Sequence, residues 1–248
     1  EIDKTHSEWT VNQTVDTMLQ IPVSNIKHMR NAQKQSGNAK RSQKTSRTVS
    51  IHDLIYYDLN YEDFEWRCDH VKTTRVNIYA NCTKRKFINF ANAPESLFVQ
   101  LKRYSYENDQ TIKLQDTVDI DMILMFSAPN LSQLDIKEVF NLPHQIQRVV
   151  DPQSFAVDVP KGHVAYRFSG AVKHTGSSID SGHYVALTRN LYDGAWYFYD
   201  DQRPFVSLKP TLHATASPRD VSEWLQKNHF YETTLLVLYN KVHAAGNN

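Results

Sequence analysis

A histidine and two adjacent carboxylates stand close together in one short stretch of this chain. Residues 170–201 read GAVKHTGSSIDSGHYVALTRNLYDGAWYFYDD. His183 opens an apolar run, HYVALTR, and Asp200 and Asp201 close a second, WYFYDD. Asp193-Gly194 between them is a tight-turn signal, so the two runs are expected to pair as a hairpin through Asn190 to Ala195. Pairing brings an imidazole and a carboxylate to the same edge of a sheet. That is the base half of a nucleophilic triad. The carboxylate fixes the tautomer and supports the imidazolium that forms when a thiol or hydroxyl gives up its proton. A His–Asp pair also serves plain structural ends, and the residues alone leave both readings open. Three of the seven glycines, Gly170, Gly176 and Gly182, fall within thirteen residues of this stretch. Such a concentration marks backbone that turns sharply or lets another chain approach.

The elements that must hold these residues are legible around them. Runs at 97–103, 164–172, 183–189, 196–200 and 233–239 are apolar or alternating, as in half-buried strands. Met18 to Val23 is a shorter β-like patch. Ser50 opens a helix with Asp53 three residues on, and Ile51, Leu54 and Ile55 share its face. A second helix is expected from Ser132, with Asp135 completing its cap and Ile136, Val139 and Phe140 buried. A third starts at Ser217, with Pro218 at its first position and Val221, Trp224 and Leu225 as its stripe. Helices outside a strand cluster predict an α+β protein with an antiparallel sheet. No acidic residue occurs from Thr17 to His52, while Lys27, Arg30, Lys34, Lys40, Arg41, Lys44 and Arg47 do. Without apolar periodicity, this basic segment is expected to be an exposed loop.

The bulk properties exclude several classes. The 248 residues are 40% hydrophobic and 22% charged, ordinary values for one large globular domain or two small ones. A net charge of +1 gives no global argument for nucleic acid or a membrane surface. No apolar run approaches the roughly 18–20 residues that span a bilayer. Two cysteines, Cys68 and Cys82, are too few for a disulfide scaffold and point to a reducing compartment, cytoplasm or nucleus. Sequons at Asn12, Asn81 and Asn130 are of a kind that arises by chance. The start at Glu1 has neither a methionine nor a secretory signal, so a trimmed chain is expected.

Four stretches carry a resemblance to the ubiquitin-specific protease family. His174-Thr-Gly-Ser-Ser-Ile-Asp-Ser-Gly-His183-Tyr184 is similar to that family's H-x-G-x(4-5)-G-H-Y box. Trp196-Tyr-Phe-Tyr-Asp200-Asp201 resembles its W-Y-x-F-D-D/N segment. Ala93 to Tyr104, APESLFVQLKRY, looks like its P-x-x-L-x-x-x-L-K-R-F/Y strand. Thr234-Leu-Leu-Val-Leu-Tyr239 fits the closing A-Y-x-L-x-Y strand, with Thr233 and Thr234 in place of Ala-Tyr.

The resemblance implies an α+β, papain-like cysteine protease fold with an antiparallel palm sheet and a fingers extension. Residues 1–92 would be the fingers-like region with a basic loop at 27–50, and 93–248 the palm with the His/Asp half of the site. It implies His183 as general base, Asp200 as its orienter and Asp201 as an auxiliary. His174, Gly176, Gly182, Tyr184 and Trp196 would form or support the channel for ubiquitin's tail; for Tyr184 and Trp196, core packing is the other reading. The implied reaction is thiol-dependent hydrolysis of the isopeptide bond after ubiquitin's terminal glycine. The implied partners are ubiquitin or a ubiquitinated protein, and the chain's own N-terminal catalytic segment.

The chain also departs from the family. No G-N-T-C-Y/W box occurs, and neither Cys68, in FEWRCDH, nor Cys82, in YANCT, has its flanks. The thumb with the nucleophile is therefore expected on a separate segment; the alternative is an inactive ubiquitin-binding or scaffold module. Of the two C-x-x-C zinc knuckles found in many members, only Cys68 remains, with Val71 where its partner would stand. His70 and His6 are conceivable substitutes, but tetrahedral zinc needs four placed ligands, so no metal and no cofactor are expected.

Overall fold

The computed structural model describes residues 16, 18–35, 48–60, 62–67, 79–176, 181–202 and 209–243. The expectations for Cys68, His70, Val71 and His6 lie outside these residues. The chain runs through β1 (Leu19–Pro22), α1 (Asn25–Gln35), β2 (Val49–Ser50), α2 (Ile51–Asp58), β3 (Glu62–Arg67) and β4 (Tyr79–Lys84). It continues through β5 (Ser96–Lys102), β6 (Tyr104–Glu107), β7 (Gln110–Lys113), β8 (Val118–Asp119), β9 (Ile123–Ser127), α3 (Ile136–Phe140) and β10 (Ile146–Gln147). It closes with β11 (His163–Thr175), β12 (His183–Arg189), β13 (Trp196–Asp200), α4 (Pro218–Lys227), α5 (Phe230–Thr233) and β14 (Thr234–Lys241).

The main sheet has the order β1-β5-β14-β11-β12-β13, with β9 on β11 and β10 on β9. Its pairs are antiparallel as expected, except for β1, which adds to β5 in parallel. β11 is the hub. One of its edges carries β14; along the other, β9 pairs with 163–167 and β12 with 170–175. The change of neighbour coincides with a register shift between Phe168 and Gly170, where a bulge re-aims the strand.

The core beneath the sheet is dense in large aromatics. Trp196 stacks on Phe168 at 5.5 Å, and Phe168 meets Tyr239 edge-on. Arg103, just past the end of β5, is fully buried, and burial brings its guanidinium pKa down to about 10. Its donors reach the carbonyl oxygens of Thr234, Leu114, Asp116 and Tyr231, stapling the end of β5 to β14 and α5. A buried charge is tolerable only when satisfied in this way.

Two helices follow their expected caps. Ser50 caps α2 in a capping box with Asp53, and Ile51, Leu54 and Ile55 are buried. Ser217 caps α4 with Asp220, Pro218 follows it, and Val221 and Leu225 are buried, with Trp224 partly so. Two other expectations are corrected. The basic segment is not all loop: Asn25–Gln35 is helical, held by buried Ile26 and half-buried Met29 one turn apart. Its Arg30 pairs with Asp116 at 3.2 Å. The second helix starts at Ile136, not Ser132, because Asp135 is itself the N-cap, in a box with Glu138. Asn130 accepts from the Ser132 amide and turns 131–133 into a separate 3-10 turn. None of its residues is buried, and Ile136 is exposed.

Candidate active site

The expected hairpin forms. β12 and β13 pair from Arg189↔Trp196 to Val185↔Asp200. Gly194, at φ +72°, closes the turn, and its amide donates to Asn190 O. Side chains alternate along a strand, and directly paired residues share a face. His183, two residues before Val185, therefore lies on the face of Asp200. So does Thr175, which pairs with His183 across β11 and β12. His174 and Tyr184, the next pair, lie on the reverse face.

On the first face, His183 Nε2 stands 3.6 Å from Asp200 Oδ1, both half-buried. That is an ion-pair distance, longer than a closed hydrogen bond. Asp200 Oδ1 also accepts from the Gln202 amide, which fixes the carboxylate at the end of β13. The other ring nitrogen, Nδ1, lies 2.8 Å from Thr175 Oγ1, and that hydroxyl donates to His183 O at 2.9 Å. Asp201 follows in an exposed turn beyond the end of β13.

On the reverse face, His174 is buried and its ring packs on half-exposed Tyr184, centroids 4.9 Å apart. Its Nδ1 meets Tyr104 Oη at 3.2 Å and Lys113 Nζ at 3.3 Å. Lys113 Nζ also donates to His174 O at 3.0 Å and Gly176 O at 2.5 Å. Burial, then the charge of Lys113 and the proximity of His183, hold the His174 imidazole below its ordinary pKa. Between the faces, Gly176 and Gly182 close the mouth of the loop. Gly182 has φ +134°, and a Cβ there would overlap Thr175 O and approach His174 Nε2 to 2.8 Å. A Cβ on Gly176 would overlap Ser181 O. Only glycine fits at either position.

Trp196 is fully buried, stacked on Phe168 and tilted against Phe155, the position of the core-packing alternative. Cys82, on β4, pairs with Phe64 in a two-stranded sheet separate from the one bearing His183. Sequence reasoning missed Thr175, Lys113 and Tyr104. Thr175 lay inside the box and opposite His183 once the strands were paired; the other two gave no local signal.

The family model for ubiquitin carboxyl-terminal hydrolases matches residues 3–215. The chain belongs to the ubiquitin carboxyl-terminal hydrolase family. Its resemblance to the ubiquitin-specific proteases is thereby borne out, and its fold is the papain-like α+β fold of that family. It is 27% identical to human ubiquitin carboxyl-terminal hydrolase 31 over 139 residues, which are 56% of this chain and 10% of that protein. It is 24% identical to ubiquitin carboxyl-terminal hydrolase 12 of Saccharomyces cerevisiae over 225 residues, 89% of this chain and 14% of that one. Against Ubl carboxyl-terminal hydrolase 18 of Pongo abelii it is 24% identical over 166 residues, 65% and 37% of the two. A solved yeast SAGA DUBm aligns with 92% of this chain and 35% of its own, at 15% identity and a TM-score of 0.46. The chain thus spans well under half the length of each of these relatives.

Proposed function

We propose that this chain carries the base half of a thiol-dependent deubiquitinase that hydrolyses the isopeptide bond after ubiquitin's terminal glycine. The observation that carries the reading is the meeting of His183 Nε2 and Asp200 Oδ1 at 3.6 Å on one sheet face, beside a loop mouth closed by two glycines. Residues 93–248 act as the palm in this reading, 1–92 as the fingers-like region, and the cysteine comes from an N-terminal segment. The setting is cytoplasmic or nuclear.

In this reading Asp200 faces Nε2 and Nδ1 receives the thiol proton, which requires the Thr175 hydroxyl to give up that nitrogen as the cysteine approaches. The thiolate sulfur attacks the carbonyl carbon of the terminal glycine. The C–N bond then breaks as the imidazolium protonates the departing amine. Water opens the thioester, its proton passes to His183, and the thiolate leaves. Asp200 keeps the ring oriented and supports its positive charge at both stages.

A second reading is a ubiquitin-binding module that does not cut. It is favoured by the place of Cys82, on a separate small sheet. One experiment separates the two. In the full-length protein, His183→Ala should lower turnover of a ubiquitin C-terminal fluorogenic substrate by about 10²–10⁴-fold, the usual worth of a general acid–base group. Ubiquitin binding should survive. Undiminished turnover in the variant excludes His183 as the base; no turnover in the wild type, with binding intact, selects the second reading.

A further inference from the structure

The hairpin of β6 and β7 reaches the reverse face of the sheet at His174, and its last residue, Lys113, bonds to the loop above the site three times over. The ammonium group donates to His174 O and to Gly176 O, the two carbonyls flanking Thr175, and lies 3.3 Å from His174 Nδ1. We propose that Lys113 is a positioning residue for the His183 site: it clamps the end of β11 at His174 and Gly176 and fixes His174 as a neutral, Nε2-protonated ring. The proposal rests on His183 being the base.

Hydrogen-bond accounting carries the argument. An ammonium group only donates. His174 Nδ1, facing Lys113 and the Tyr104 hydroxyl, must therefore accept, and the ring's one proton sits on Nε2. Nε2 lies beside Gly182, where an added Cβ would come within 2.8 Å of it. A second proton on Nδ1 would bring two cationic donors face to face at 3.3 Å. The titratable and charged groups around this ring are Tyr104 on β6, Lys113 on β7, and Tyr184 and His183 on β12, with Arg103 behind Lys113. Among the described residues, none around the ring is a carboxylate that would stabilise an imidazolium. A neutral His174 matters to its neighbour, because a cation there would repel the imidazolium that His183 must become. The clamp matters as well. Thr175 stands between the two held carbonyls, and its hydroxyl binds both the ring and the carbonyl of His183.

The test uses two readouts, one independent of activity. Long-range ¹H–¹⁵N spectra of the chain, labelled at histidine, report the tautomer and titration of each ring. The expected result is a neutral His174 with its proton on Nε2, titrating below the range of an ordinary histidine. In Lys113→Met its titration should move up toward the ordinary histidine range, and the amides of Gly176, Ser181 and Gly182 should exchange at least tenfold faster. In the full-length protein, Lys113→Met should cut kcat on a ubiquitin substrate roughly tenfold and steepen the loss of rate on the acid side. A wild-type His174 protonated on Nδ1, or one that titrates alike with and without Lys113, overturns the proposal. That measurement stands even where the Met variant folds poorly. Altered spectra with an unchanged pH–rate profile overturn the positioning role. A wild type with no turnover fails the functional reading while the spectra still judge the clamp.

Discussion

Thr175 and His183 face each other across β11 and β12, and one hydroxyl serves both the ring and the main chain of the histidine: Oγ1 is 2.8 Å from Nδ1 and 2.9 Å from the carbonyl oxygen. A hydroxyl has one proton. It can donate to Nδ1, or donate to the carbonyl and accept from a protonated Nδ1. The second arrangement is ready when His183 becomes an imidazolium, with Asp200 on the opposite nitrogen. Thr175 thus offers a hydrogen bond that reverses polarity with the charge of the ring.

Thr175→Val keeps the shape and removes that bond. In the full-length enzyme it should reduce kcat/KM about tenfold, the worth of a hydrogen bond to a charged group at the lower end of its range. Thr175→Ser should restore most of the loss. Steady-state kinetics of the three proteins check this, and equal rates for Val and Ser would count against it.

A ubiquitin probe with a thiol-reactive C-terminal warhead should leave this chain unlabelled by itself and label the assembly once the cysteine-bearing segment is supplied. Proximity is the reason: base and nucleophile on separate lobes accelerate nothing until the lobes pack. Mass mapping of the adduct is the check. Ubiquitin-dependent labelling of Cys68 or Cys82 would make that residue the nucleophile.

Metal content provides a third check. With Val71 in the place of a knuckle cysteine, elemental analysis of the purified chain should find no stoichiometric zinc. Zinc that is lost on mutating Cys68 would contradict this.

Asp121 gives a pH dependence of stability. Its carboxyl is half-buried at the start of α2, accepting from the His52 amide at 2.7 Å. Burial raises its pKa from 3.8 to about 6, against the pull of the His52 and Ser50 hydrogen bonds. The folded state therefore binds this proton more tightly than the unfolded chain does. The stabilisation is complete below the unfolded value and is lost as pH rises through about 6. The difference corresponds to roughly 2 kcal/mol between pH 4 and pH 7. Urea denaturation of wild type and Asp121→Asn across that range should show their stability difference changing by this amount, in favour of the variant at the higher pH. A constant difference would rule out Asp121 as the source.

The hairpin of His183 and Asp200 could be read directly, because two apolar runs with Asp-Gly between them admit one pairing. Capping boxes also located α2 and α4, since Ser50 and Ser217 bond to amides only three residues away. The same local logic misplaced α3, where Asn130 and Asp135 compete as caps for neighbouring turns. It missed α1, whose stripe is little more than Ile26 and Met29 amid polar residues. The burial of Trp196 and the role of Lys113 depend on which strands meet across the fold. No spacing within one segment encodes such contacts.

The fork in β11 has a consequence for how the molecule assembles. The base and its carboxylate stand on a local hairpin, whose closure costs little chain entropy and takes microseconds. β14 and β5, by contrast, must find each other from distant parts of the chain, and β1 can add only to a β5 already in place. Pairings of that kind dominate folding time. The edge that carries His183 and Asp200 should therefore acquire its geometry early, while the centre of the sheet, and with it native stability, arrives late. Substitutions in the β12–β13 turn should then alter the folding rate, and substitutions in β1 mainly the rate of unfolding.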